Sequence, residues 1–249
     1  MPGKVLFLRN DPTAPEALLG ETFTEFGFDV STFEVVPAHL IHDPVIDVTF
    51  PEPTRFDVIV PLGARWSVYD ERLAKSWVAG EMDMVRRGLA AGVGVLGVCF
   101  GGQLLAQLLG GAVRPSQDPE IGWREVDSTS SIVPSGPWFE WHFDRWTLPP
   151  GALEVARNDC ASQAFVRGRA LALQFHPELD HEVLDMWIAD DRDGEAAGLG
   201  IGHDDLRTRT TLELDDAARR LRLLVRGFLD AVVTNSVAVS DPDLRPKLR

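Results

Sequence analysis

Cysteine is scarce in this chain of 249 residues: there are two, Cys99 and Cys160, spaced neither as a disulfide framework nor as metal ligands. No stretch approaches the roughly 18 consecutive apolar residues of a spanning helix. The N-terminal MPGKVLFLRND lacks a basic leader with a long apolar segment and a small-residue cleavage site. Basic residues are in deficit, 24 Lys and Arg against 38 Asp and Glu, giving a formal charge of -14. That excludes an electrostatic grip on nucleic acid or an anionic membrane. Internal repeats, low-complexity blocks and convincing linkers are also missing. These absences predict one domain over residues 1–235 with a frayed tail over 236–249, in a cytoplasmic setting that keeps thiols reduced. Stability must then come from a core, which the 45% hydrophobic content can supply.

What is present alternates between strand and helix. Residues 5–8 form a short apolar strand and 15–26 carry Leu18, Leu19, Phe23 and Phe26 at helical spacing; a strand over 30–36 follows. Proline-rich sequence leads to FDVIVPLG, a buried-strand pattern, then to a helix over 70–91 and an apolar run over 93–98 suited to a central parallel strand. A helix over 103–109 stops at Gly110-Gly111. Short strands over 122–126, 153–158, 164–167 and 170–174 suggest an antiparallel or mixed half, and helices over 182–189 and 214–233 close the chain. The expected fold is α/β: a three-layer sandwich around a mostly parallel central sheet, flavodoxin-like in type.

Cys99 falls at the carboxyl end of the central strand, in GVCFGG. G-x-C-x-G between strand and helix is the thiol form of a nucleophile elbow, where Gly97 and Gly101 occupy positions at which a side chain would obstruct the turn. The Phe100 amide, at the helix start, faces the place where charge develops on a substrate carbonyl. A free thiol with a pKa near 8.5 is only a few per cent ionised at neutral pH, so a base is required. ALQFHPE offers one: His176 ends an apolar strand, and Pro177 fixes the backbone between it and Glu178. A Cys99, His176, Glu178 relay follows.

GVCFGGQLLA together with ALQFHPE resembles the class I glutamine amidotransferases, most closely the glutaminase domain of GMP synthase and its stand-alone relatives. PLGARWSVYDE, EIGW and WHFDRWTLPPGA add to the resemblance, which covers about residues 5–188. It implies that Cys99 attacks the γ-carboxamide of glutamine, ammonia leaves, and water hydrolyses the γ-glutamyl thioester. It also implies that Gly63 supplies a second oxyanion amide beside Phe100 and that Gln103 helps hold the glutamyl group. The substrate is then glutamine or a γ-glutamyl compound, with no cofactor and no metal. Full amide transfer would need a separate ammonia-accepting enzyme.

Two positions depart from the family's pattern: Gly63 is followed by Ala64 and Arg65, and His142-Phe143-Asp144 stands where relatives often have His-Gly-Asp. Arg65, His142 and Phe143 are therefore expected at the substrate pocket, with Arg65 or Phe143 altering what enters. Two alternatives remain open: a γ-glutamyl peptide or amide hydrolase, and a catalytically silent binding protein on the same fold. His142 is expected to line the pocket or satisfy backbone groups. Cys160 is expected to be structural, and His39, His42, His181 and His203 to lie at the surface or in loops. Glu120 reads equally as an exposed strand-end carboxylate or a site residue, and Trp123, Trp138, Trp141 and Trp146 as core or rim aromatics. DDRDGEAAGLGIGHDD reads as a solvated loop without metal-ligand order.

Overall fold

The computed structural model describes residues 2–191 and 194–234; the expected tail over 236–249 lies outside the described residues. Nine strands contribute to one sheet: β1 (Lys4–Arg9), β2 (Asp29–Glu34), β3 (Val58–Pro61), β4 (Gly94–Val98), β5 (Ala112–Ser128), β6 (Gly136–Thr147), β7 (Leu153–Arg157), β8 (Ser162–Arg167) and β9 (Ala170–Leu173). Their order is β2-β1-β3-β4-β9-β8-β7-β5-β6. The first five in that order are parallel and the rest antiparallel. This is the mostly parallel, mixed sheet expected from the apolar runs.

Alternation along β1 shows how the layers form. Val5 and Phe7 point to the face covered by α1 (Ala17–Glu25) and by the later part of a long C-terminal helix, with Leu19, Phe23, Leu221, Leu224 and Phe228. Leu6 and Leu8 point to the other face. There α3 (Trp77–Ala90), which follows the short α2 (Glu71–Ala74), and α4 (Phe100–Leu108) supply Trp77, Met84, Val85, Leu104 and Leu105. A fully buried side chain of this size contributes about 1.5–3 kcal/mol. A third cluster lies under α5 (His181–Asp190), α6 (Glu195–Gly198) and the start of α7 (His203–Phe228), where Val183, Leu184, Ala196 and Leu206 pack on Ile121 and Phe139 of the β5–β6 hairpin.

Two helix bounds are corrected here and one strand is added. The helix expected over 70–91 is broken before Trp77: the Ser76 hydroxyl bonds to both backbone groups of Ile46, and the Trp77 indole donates to the Pro44 carbonyl. The proline-rich connection thus pulls the chain out of helical register. The helix expected from Gln103 begins at Phe100, directly after the nucleophile candidate. Residues 136–147, assigned no element from the sequence, are the strand β6. Its inward positions 140, 142 and 144 carry Glu, His and Asp, and these polar residues disguise the period of two.

The described part of the acidic run is ordered as well. Gly194 starts α6 with a left-handed φ of 70°, and α7 begins at His203, well ahead of residue 214. Leu206, Thr210, Ala217 and Leu221 are its buried stripe. Thr210 hides the first part of that stripe, because its hydroxyl accepts from the Trp123 indole where an apolar residue would have been recognised.

Candidate active site

Three glycines make room for the turn that carries Cys99. A Cβ on Gly97 would stand 2.4 Å from the Gly101 carbonyl oxygen, one on Gly101 2.0 Å from that of Pro61, and one on Gly102 2.5 Å from that of Leu173. These are collisions with backbone, which cannot swing aside. Between β4 and α4, Cys99 adopts φ 48° and ψ −106°, a strained conformation for a side-chain-bearing residue. Its N–H donates to the Leu173 carbonyl (2.8 Å). Phe100 opens α4, so its amide has no acceptor within the helix. Gly63, just beyond β3, meets the same spot: a Cβ there would lie 3.0 Å from His176 Cε1 and 3.8 Å from Cys99 Cβ.

His176 and Glu178 follow β9, the strand beside β4. Nδ1 of His176 contacts Glu178 Oε1 at 2.7 Å, with both residues buried. Nε2 of His176 is buried without an aligned hydrogen-bond partner among the described residues. Burial would push the imidazole pKa down, but the charges of Glu178 and of an ionised Cys99 hold it well above its ordinary value. The ring also packs edge-on against Trp187 of α5, centroids 4.6 Å apart. The expected trio is thus brought to one place.

The open face of the trio is a cavity of about 440 Å³ that includes Gly63, Arg65, Gln103, His142 and Phe143 in its lining. Gln103 is buried, its amide making long contacts to the Asp144 carbonyl (3.4 Å) and to Gln174 Oε1 (3.5 Å). Phe143 is partly exposed at the mouth. The head of Arg65 is held by two carboxylates. Its Nε and Nη2 grip Asp11 at 2.6 and 3.1 Å, its backbone N–H donates to Asp11 Oδ2 (3.2 Å), and Nη1 pairs with Asp190 at 2.5 Å. The guanidinium ties the segment after β3 to the β1–α1 connection and to α5.

His142 is buried beneath the cavity. Its Nδ1 donates to the Asp144 carbonyl (3.0 Å), and its Nε2 stands 3.3 Å from carboxylate oxygens of both Glu120 and Glu140. Burial opposes its charge, but the contacts with Glu120 and Glu140 prevail and raise its pKa to about 10. Burial drives Glu140 the other way for an acid, up to about 7, against the lowering influence of His142. Glu120 is no exposed strand end: Asn158 and Gln163 donate to it at 2.7 and 2.8 Å.

Glu140 escaped notice in the sequence, although it is two residues from His142 on one strand face and Glu120 is the cross-strand partner of His142. Asp11, Trp187 and Asp190 were also missed, since they reach the site only through tertiary packing. Trp138 and Trp146 are core residues, while Trp141 lines the cavity. His203, expected at the surface or in a loop, is the first residue of α7, partly exposed, and pairs with Asp191 at 2.9 Å. Among the described residues no group of three or more His, Cys, Asp or Glu could hold a metal ion, and no helix is long and apolar enough to cross a membrane.

This geometry agrees with sequence comparison. The chain belongs to the class I glutamine amidotransferase family, whose model matches residues 68–192. The glutamine amidotransferase-like protein chyE of Penicillium rubens is 31% identical over 223 residues, 80% of this chain and 89% of that protein. A glutamine-hydrolyzing GMP synthase subunit from Sulfolobus acidocaldarius is 32% identical over 145 residues, 54% of this chain and 74% of that relative. Against the whole GMP synthase of Aeropyrum pernix, 39% identical over 116 residues, the match spans 22% of the relative. Among solved structures, a glutamine amidotransferase from Thermotoga maritima superposes with a TM-score of 0.79 at 24% identity, covering 93% of this chain and all of that one.

Proposed function

We propose that this protein hydrolyses the side-chain amide of glutamine, or of a related γ-glutamyl compound, through a γ-glutamyl thioester on Cys99. The observation that carries the reading is the buried His176–Glu178 contact of 2.7 Å placed beside a thiol on a glycine-lined elbow. His176 takes the Cys99 proton, and the thiolate attacks the amide carbon to form a tetrahedral oxyanion. The amides of Phe100 and Gly63 stabilise that charge; one such donor typically contributes about 10²–10³ in rate. His176 returns the proton to the departing nitrogen, and ammonia leaves. His176 then deprotonates a water, which cleaves the thioester and frees glutamate and Cys99. Glu178 orients the imidazole and offsets its charge.

A nucleophile of this kind must stay reduced, which suits a cytoplasmic setting. Delivery of ammonia to a separate acceptor enzyme belongs to the same reading, since the Sulfolobus relative is named as one part of a GMP synthase. The test is glutamate release from glutamine by the purified chain, with Cys99→Ala as control, alongside mass-spectrometric trapping of Cys99 by an electrophilic glutamine analogue. Turnover or trapping that depends on Cys99 is expected. A chain that gives neither, with or without candidate acceptors, is a silent binding protein.

A further inference from the structure

We infer that the cavity accepts γ-glutamyl amides whose leaving amine carries a second positive charge, such as mono-γ-glutamyl diamines; this rests on the thioester reading above. The argument is a balance of charges around the cavity. Three of its carboxylates are partnered: Asp11 and Asp190 share the single charge of the Arg65 guanidinium, which offsets one of their two, and Asp191 contacts the His203 imidazole and accepts from the Glu195 amide.

Two are not. Asp144, largely buried, accepts from the Ser67 and Tyr69 hydroxyls at 2.6 and 2.7 Å. Glu195, at the exposed rim, accepts from the Trp141 indole at 2.7 Å. Neutral donors orient a carboxylate without cancelling its charge, and among the described residues neither group has a cationic partner.

A glutamyl head brings one ammonium and one carboxylate, so it matches one of the two at most. When the leaving group is ammonia from glutamine, the other carboxylate stays uncompensated. A cation on the leaving amine would give that carboxylate a partner. The aromatic part of the lining favours the same ligand: Trp141, Phe143 and Trp187 all border the cavity, and aromatic faces attract cations. The space permits it, since about 440 Å³ lies in the range that takes drug-sized ligands. Hydrolysis follows the same steps: the Cys99 sulfur–carbon bond forms, the amide bond breaks, and the amine leaves with the proton from His176.

The experiment compares γ-glutamyl amides of 1,4-diaminobutane, pentylamine and 5-aminopentanoate, which differ in terminal charge at similar length. The expected kcat/KM is about tenfold higher for the cationic amide than for the neutral one, and lowest for the anionic one. The gap should narrow with added salt and in Asp144→Asn and Glu195→Gln. Turnover of glutamine with no turnover of the amides, or a preference indifferent to charge, overturns the inference and leaves the thioester reading intact. Should nothing be hydrolysed, that reading fails on its own. The same order is then sought in equilibrium binding of the three amides to Cys99→Ala and Cys99→Ser, where equal affinities or a preference for the anion overturn the inference.

Discussion

The indole of Trp187 stands edge-on to the imidazole of His176, ring centroids 4.6 Å apart at 71°, while its Nε1 donates to the Thr13 carbonyl at 2.7 Å. One side chain of α5 thus braces the base and is itself pinned to the β1–α1 connection. Trp187→Ala should lower kcat by about 10- to 100-fold, because small misplacement of a catalytic group is costly. Trp187→Phe, which keeps a ring and loses the indole N–H, should fall between the two in steady-state kinetics. Equal rates for all three proteins would remove the bracing role.

Glu178→Gln should keep the fold and lower kcat by about 10²–10⁴. The neutral amide no longer opposes the burial that pulls the His176 pKa down. The pH limb belonging to the imidazole should therefore move to lower pH in the variant, in kcat/KM and in the rate of Cys99 alkylation alike.

Two glycines near the thiol should respond differently to the same methyl group. On Gly101 it would meet the Pro61 carbonyl oxygen at 2.0 Å, with no flexible atom to yield. Gly101→Ala should lose more than about 3 kcal/mol of stability or fail to fold. On Gly63 the methyl would meet His176 Cε1 at 3.0 Å, a side-chain atom. Gly63→Ala should fold with a melting temperature near that of the parent and lose most of its activity. Calorimetry and glutaminase assays on the pair separate the two outcomes.

Glu81 of α3 is fully buried, and burial raises its pKa to about 8, only partly offset by the Asn10 amide at 3.2 Å. The folded chain therefore keeps a proton that the unfolded chain releases near the ordinary glutamate value. This contribution is fully present below about pH 4.5 and is lost as pH rises towards about 8. Glu81→Gln should remove that loss. Relative to the parent, the variant should gain roughly a few kcal/mol on going from about pH 5 to pH 8 in denaturant titrations. Parallel pH profiles would contradict the assignment.

How much could be read beforehand depended on whether a residue's role was local. Cys99 was legible because the elbow's requirement for glycine is written into five consecutive residues, and His176–Glu178 because one proline separates them. The parallel half of the sheet was legible because its inner strands β1, β3, β4 and β9 are apolar on both faces. Strand β6 was not, because Glu140, His142 and Asp144 occupy inward positions where apolar residues are the usual signal. Arg65 lines the cavity, but its direction is set by Asp11 and Asp190, which are 54 and 125 positions away in the sequence. No local pattern encodes such a meeting.

The pairing of β4 with β9 has Val98 opposite Leu173, and the Cys99 N–H bonds to the Leu173 carbonyl. Cys99 is one residue past that rung and His176 three. The separation between thiol and imidazole is therefore a fixed offset along two neighbouring parallel strands. A slip of one residue would turn every side chain of the moving strand to the opposite face and carry the base away from the thiol. Loss of activity in denaturant should accordingly keep pace with hydrogen exchange at β4 and β9, even while helices at the periphery remain folded.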